Sequence, residues 1–142
     1  MTPIDLKKFC SKDRKRPPIR KPFSQRGWTY ATDGCIAIRV PRRSRIPERK
    51  DAPGAERIFN DADNRGPYKW VPVPEIKVEG QPFPFKFDEM TIFLNMIYLD
   101  LIRRELPNPQ IGLIKEAGGN SPNVPVKIKF DGGEGLLMPV RL

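Results

Sequence analysis

Histidine is absent from this chain of 142 residues. Its absence removes the Ser-His-Asp type of triad, most zinc sites and the commonest general base. Cysteine is scarce: Cys10 and Cys35 form at most one disulfide and cannot alone supply a four-ligand metal site. Both are expected to be reduced thiols serving as small buried hydrophobes. No apolar run approaches the ~20 residues that span a bilayer, and Met1 to Asp5 lack the charged-then-apolar layout of an export signal. A soluble cytoplasmic protein of one domain, with no membrane partner, is the expectation. Candidate carboxylate pairs, Asp61 with Asp63 and Asp131 with Glu134, sit in polar stretches where solvated surface acids are usual. A non-catalytic protein without cofactor or metal follows.

What the chain has in excess is positive charge, unevenly spread. Residues 1–50 hold 15 Lys and Arg against 4 Asp and Glu, a net of +11, whereas residues 51–142 hold 11 against 13, a net of −2. One cluster comprises Lys12, Arg14, Lys15, Arg16, Arg20, Lys21 and Arg26; the other comprises Arg39, Arg42, Arg43, Arg45, Arg49 and Lys50. Such a field attracts polyanions by releasing condensed counterions, so Lys12, Arg14, Lys15, Arg16, Arg20, Lys21, Arg26, Arg42, Arg43 and Arg45 are candidate nucleic-acid contacts. The alternative is a solvated basic surface.

Thr2 as a cap, Pro3 in the first turn and Asp5 three residues on predict a short helix through Phe9. Pro17-Pro18 then argues for an extended basic connection from Ser11 to Lys21, so residues 1–26 read as a helix plus a basic arm. From Trp28 to Val40 the period changes to two around Asp33-Gly34, the clearest hairpin in the chain. Residues 41–84 are rich in proline and charge and read as an ordered insertion, in which Tyr68-Lys69-Trp70-Val71 has the makeup of an added strand. Ile76-Lys77-Val78 and Phe83 to Phe87 read as short strands; Met90 to Leu94 either stays extended or opens a helix. Asn95 caps a predicted helix whose Ile97, Tyr98, Leu101 and Ile102 face the core until Leu106-Pro107 stops it. Three strands follow: Ile111 to Ile114, Val124 to Phe130, and Leu136 to Val140 after the turn Asp131-Gly132-Gly133-Glu134-Gly135. That turn lacks the Gly-Lys-Ser/Thr ending of a phosphate cradle.

Three stretches together resemble the bacterial DNA polymerase sliding clamp. They are Tyr30-Ala31-Thr32-Asp33-Gly34-Cys35-Ile36-Ala37, Phe93-Leu94-Asn95-Met96-Ile97-Tyr98-Leu99-Asp100-Leu101, and the ending Met138-Pro139-Val140-Arg141-Leu142. The resemblance implies an α+β fold: one clamp-like domain over residues 1–142, with two helices packed on antiparallel sheet and residues 41–84 as a Pro-rich insertion. In clamps the peptide pocket lies between the turn of one domain and the tail of the next, so the resemblance implies a pocket at Thr32, Gly34, Met138, Pro139, Arg141 and Leu142, within one copy or across a head-to-tail contact between copies, although Cys35 and Ile36 stand where clamps commonly carry a His-Arg pair. A clamp subunit has three such domains and closes a ring as a dimer, so a ring of this chain requires several copies.

The function so implied is a DNA-associated or replication-associated binding module from a bacterial or phage context. Its expected partners are nucleic acid bound without sequence preference and a replication or repair protein held through the peptide groove, with self-association into homo-oligomers open. An alternative is a small inhibitor or clamp mimic that captures host replication, repair or defence proteins. Another is a nucleic-acid-binding protein unrelated to clamps, its basic segment doing all the binding.

Overall fold

The computed structural model describes residues 3–50, 54–73, 83–87, 90–114 and 124–140. The opening helix is shorter than expected: Asp5 caps a 3₁₀ turn at Leu6–Phe9, its carboxylate accepting from the Lys7 amide at 3.2 Å. Thr2 lies outside the described residues. Where an extended connection was expected, Pro17–Ile19 forms a second 3₁₀ turn, since the fixed φ of proline suits the first positions of a helical turn.

Strand β1 (Phe23–Gln25) turns into β2 (Trp28–Thr32) through Arg26-Gly27, both at positive φ (49° and 86°), which matches the twist of the flanking strands. The hairpin of β2 with β3 (Ile36–Pro41) is as expected, with Gly34 at φ +97°. Helix α1 (Ala55–Asn64) and strand β4 (Tyr68–Pro72) come from the supposed insertion and belong to the body of the fold. Phe83–Phe87 (β5) and Met90–Leu94 (β6) pair as a separate ribbon, so the second of these is a strand rather than a helix start; Ile76-Lys77-Val78 lies outside the described residues. Asn95 caps helix α2 (Met96–Glu105), accepting from the Ile97 amide at 2.8 Å. Strands β7 (Gln110–Ile114), β8 (Val126–Phe130) and β9 (Gly133–Leu137) complete the chain.

The fold is α+β. Its main sheet has seven strands in the order β1-β2-β3-β9-β8-β7-β4, every neighbouring pair antiparallel. Alternation along β3 sends Ile36, Ile38 and Val40 to one face and Ala37 and Arg39 to the other, so the strand is buried from Ile36 to Val40. The first face packs on the Leu6–Phe9 turn, on Ile92 and Leu94 of β6, and on Leu99 and Ile102 of α2. Ala55, Phe59 and Ala62 of α1 pack against Phe23, Tyr30, Ala37 and Leu136 of the second face. The two α-helices therefore flank the sheet, and one of them is α1 rather than the expected N-terminal helix.

Two corrections concern register. The helical spacing expected Ile97 and Leu101 in the core; Ile97 is 77% exposed and Leu101 half-buried, while Leu99 takes the buried position with Ile102. The last strand begins within the glycines, because only Asp131-Gly132 form the turn. A Cβ at Gly135 would lie 2.8 Å from the Ala37 carbonyl oxygen, so the missing side chain lets β9 lie against β3.

Truncating Ile38 or Leu99 to Ala is expected to cost about 2–5 kcal/mol in urea unfolding, the usual range for core deletions, and Leu101→Ala clearly less. Equal losses at Leu99 and Leu101 would reverse the assigned helix face.

Candidate functional site

The two basic segments meet beside β1, whose outer edge is covered by the second. The first is closed by the Ser11 amide donating to the Ile19 carbonyl at 2.9 Å, with the Ile19 side chain buried. The second, residues 42–50, lies against β1 and β2. The Ser24 amide donates to the Pro47 carbonyl and the Arg49 amide to the Ser24 carbonyl, each at 3.0 Å, and Glu48 bridges Ser24 in parallel. Buried hydroxyls anchor this loop: Ser24 Oγ donates to the Ile46 carbonyl at 2.7 Å, and Thr29 Oγ1 accepts from the Arg43 amide at 2.8 Å. The Arg49 guanidinium then donates to the Pro18 carbonyl at 3.2 Å, tying the two segments together.

Lys12, Arg14, Lys15, Arg16, Arg20, Lys21, Arg26, Arg42 and Arg45 are exposed, and Arg43 is half-buried. Among the described residues Arg26 is the one of these ten with an acidic partner, Glu56 at 3.2 Å. Arg39 leaves the cluster: it is buried, pairs with Glu134, and lies 4.1 Å from the Trp28 and 4.3 Å from the Phe59 ring centroids.

The Thr32-Asp33-Gly34 turn is held by its own side chains and, from outside, by Tyr98 and Arg16. Asp33 Oδ1 accepts from the Cys35 amide at 2.8 Å and the Ile36 amide at 3.0 Å, while Oδ2 accepts from the Tyr98 hydroxyl at 2.5 Å. Thr32 Oγ1 accepts from the Gly34 amide at 3.0 Å and donates to the Ile36 carbonyl at 2.7 Å. The Arg16 guanidinium donates to the Asp33 carbonyl at 3.3 Å and lies over Gly34, where an ideal Cβ would meet its nitrogens at 2.8 Å. Burial and the Asp33 carboxylate push the Tyr98 hydroxyl well above its usual pKa, so it stays a neutral donor. The chain end is fastened beside the turn by the Met138 amide, which donates to the Cys35 carbonyl at 2.9 Å.

Turn and chain end together line a cavity of about 270 Å³, its sheet side formed by Thr32, Gly34, Ile36 and Met138 and its helix side by Ile58, Asp61 and Arg65. A second cavity of about 310 Å³ shares Thr32, Gly34 and Ile58 and reaches Arg16 and Ile19. The two make one groove beside α1, with Ile58, a large hydrophobic side chain left 45% exposed, between them. Of the sequence-derived pocket residues, Thr32, Gly34 and Met138 come together; Pro139 is buried away from the lining, and Arg141 and Leu142 lie outside the described residues. Ile58, Asp61 and Arg65 were missed because α1 itself was missed. The apolar spacing Ala55, Ile58, Phe59, Ala62 is the signal that marks it.

The acid pairs read from the sequence have other occupations. Asp63 pairs with Lys127, Glu134 with Arg39, Asp131 accepts from Asn108 at 2.5 Å, and Asp61 lies on the groove rim. Among the described residues no group of three or more His, Cys, Asp or Glu is arranged to hold a metal ion, and no helix is long and apolar enough to cross a membrane. The arrangement suits binding: an apolar concave floor with a charged rim. No protein-family model, curated protein or solved structure matches the chain.

The two thiols differ, against the expectation that both are buried: Cys10 is 7% exposed, whereas Cys35 is exposed on the groove wall. Burial pushes the Cys10 thiol from its ordinary 9.0 up to about 11. Aromatic disulfide reagent at pH 8 is expected to label Cys35 and spare Cys10 until the protein is unfolded. Because the folded pKa is the raised one, the Cys10 contribution to stability is present below pH 9 and lost as pH climbs towards 11, where the unfolded chain sheds the proton first. Cys10→Ala is expected to flatten the fall in unfolding free energy over that window.

Proposed function

We propose that the protein is a non-catalytic, DNA-associated binding module of sliding-clamp type. Its edge at β1 takes the phosphate backbone and its groove beside α1 takes a short extended peptide. The observation that carries this is the groove itself: Thr32, Gly34 and Met138, assigned to a peptide pocket by resemblance, line one cavity although 104 positions separate Gly34 from Met138 (138 − 34). Two further features support it. Strand β6, helix α2 and strands β7, β8 and β9 follow in the order strand, helix, three strands that the resemblance implies for the second half of a clamp domain. Exposed cations from two distant segments lie along one edge, with the counterion-release chemistry of non-specific nucleic-acid contact.

Arg16 belongs to both surfaces, since it is one of the exposed cations and also lines the second cavity. Peptide and DNA are therefore neighbours on this protein. A protein-capturing inhibitor would use the same groove with the edge serving its partner's acidic surface, and salt separates the two. Phosphate contact weakens linearly in log salt, with a slope of about 0.9 per neutralised phosphate, whereas apolar capture persists.

Replacing Arg14, Lys15, Arg20, Arg42 and Arg45 together by Ser is expected to weaken duplex binding and to make its salt slope shallower by about 0.9 for each cation in contact. Ile58→Glu is expected to abolish binding of a fluorescent clamp-binding peptide from a bacterial polymerase while leaving duplex affinity within about twofold. Peptide that ignores Ile58→Glu refutes the groove, and an unchanged salt slope in the Ser variant refutes the edge.

A further inference from the structure

The seven-stranded sheet is wider than the ten residues of α1 can cover. The C-terminal end of that helix meets β4 through Tyr68, whose hydroxyl donates to the Ala62 carbonyl at 2.5 Å. Two residues further along the same face of β4 stands Trp70, while the intervening Lys69 points the other way. Its neighbour across β7 is Gly112, followed on β8 by Lys127. Because Gly112 has no side chain, the indole lies down on β7: an ideal Cβ there would be 2.8 Å from ring carbon Cζ3. Lys129 Nζ lies over the ring, 4.5 Å from its centroid, and the Tyr68 ring is 5.8 Å away, tilted by 42°. Lys127, by contrast, is held by Asp63 and by Glu134 at 3.7 Å, with its Nζ 5.7 Å from the Tyr68 centroid.

We propose that Trp70 and Lys129 form a stacking site for single-stranded nucleic acid, separate from the basic edge and from the groove. A half-buried indole laid flat on a glycine keeps one π face off the sheet, the face over which Lys129 lies, and an unpaired base can stack there without regard to sequence. Bases inside a duplex are already stacked and cannot reach it. Lys129 is exposed; an arriving base takes the place of its ammonium on the ring, and the ammonium then meets the phosphate. Tyr68, fixed by α1 and Lys127, supplies the wall beside the site. A polyanion suits this surface better than a protein does: among the described residues the acids beside it, Asp63 and Glu134, are bound to Lys127 and Arg39, and Lys129 is shown with no acidic partner.

Trp28→Phe leaves Trp70 as the sole tryptophan, so emission reports the site directly. Titration with a short oligothymidylate is expected to quench it, and the matching duplex to quench it far less. Trp70→Leu should weaken oligothymidylate binding roughly tenfold or more, Trp70→Phe should retain most of the affinity, and Lys129→Ala should weaken it and make the salt slope shallower by about one contact. If Trp70→Leu fails to fold, Lys129→Glu, at an exposed position, carries the test through the same quench. Absent quenching, duplex quenching as strong as that of single strand, or a response to the groove peptide in place of nucleic acid would each overturn the site. The five-residue Ser variant of the basic edge should still show the quench, so loss of the edge and loss of this site give different results.

Discussion

The pairing of β3 with β9 is the joint on which the rest of the molecule depends. It is the strand pairing that joins the first third of the chain to the last, with Ile36 to Arg39 facing Leu137 to Glu134. Without it the seven strands fall into one group of three, β1 to β3, and one of four, β9-β8-β7-β4. Its chemistry is two-sided. On the α2 face, Ile38 lies in the space left by Gly135. On the α1 face, the Arg39 guanidinium donates to Glu134 through Nε at 2.8 Å, between the rings of Trp28 and Phe59. A buried ion pair adds little net stability, but losing one partner strands the other charge and costs about 3–5 kcal/mol. The pair therefore fixes register more than it adds stability, since a slip of one residue would turn Arg39 into the opposite, purely apolar core.

The groove is a direct consequence of that joint. One residue beyond β9, the Met138 amide continues the pairing by donating to the Cys35 carbonyl at 2.9 Å, and the Val140 amide then crosses to the Phe93 carbonyl of β6 at 2.7 Å. The tail thus links the main sheet to the small ribbon and lays Met138 against the Thr32-Asp33-Gly34 turn. Tyr98 holds that turn from α2 and Arg16 from the basic arm, so the floor is fixed by two elements remote from it in sequence. Helix α1 then supplies the opposite wall.

Width gives the sheet its separate surfaces. Six strand spacings of about 4.8 Å place β1 and β4 roughly 29 Å apart. A helix about 15 Å long covers only part of that span. The cationic edge lies at one side, the groove near the middle beside α1, and the Trp70 surface at the other side. Distances of this order exceed the ~8–10 Å over which salt leaves exposed charges in touch, so the two cationic surfaces are electrostatically independent.

Local chemistry alone determined the Trp28 to Val40 hairpin, the Asn95-capped helix and its stop at Leu106-Pro107, and strands β7 and β8. In each a turn or cap residue stands beside a clear period, and none needs a distant partner. The concentration of charge before residue 50 was equally plain. Only the tertiary structure decided the rest, because the deciding contacts are remote in sequence. Helix α1 has an apolar stripe of two alanines, Ile58 and Phe59, too thin to stand out until the sheet beneath it is known. Strand β9 opens on glycines that look like loop residues, and are strand residues because β3 comes so close. Leu99 rather than Leu101 enters the core because the sheet lies on that side of α2. Arg39 looked like one more surface cation, and it is buried because Glu134, 95 residues away, meets it inside the sheet.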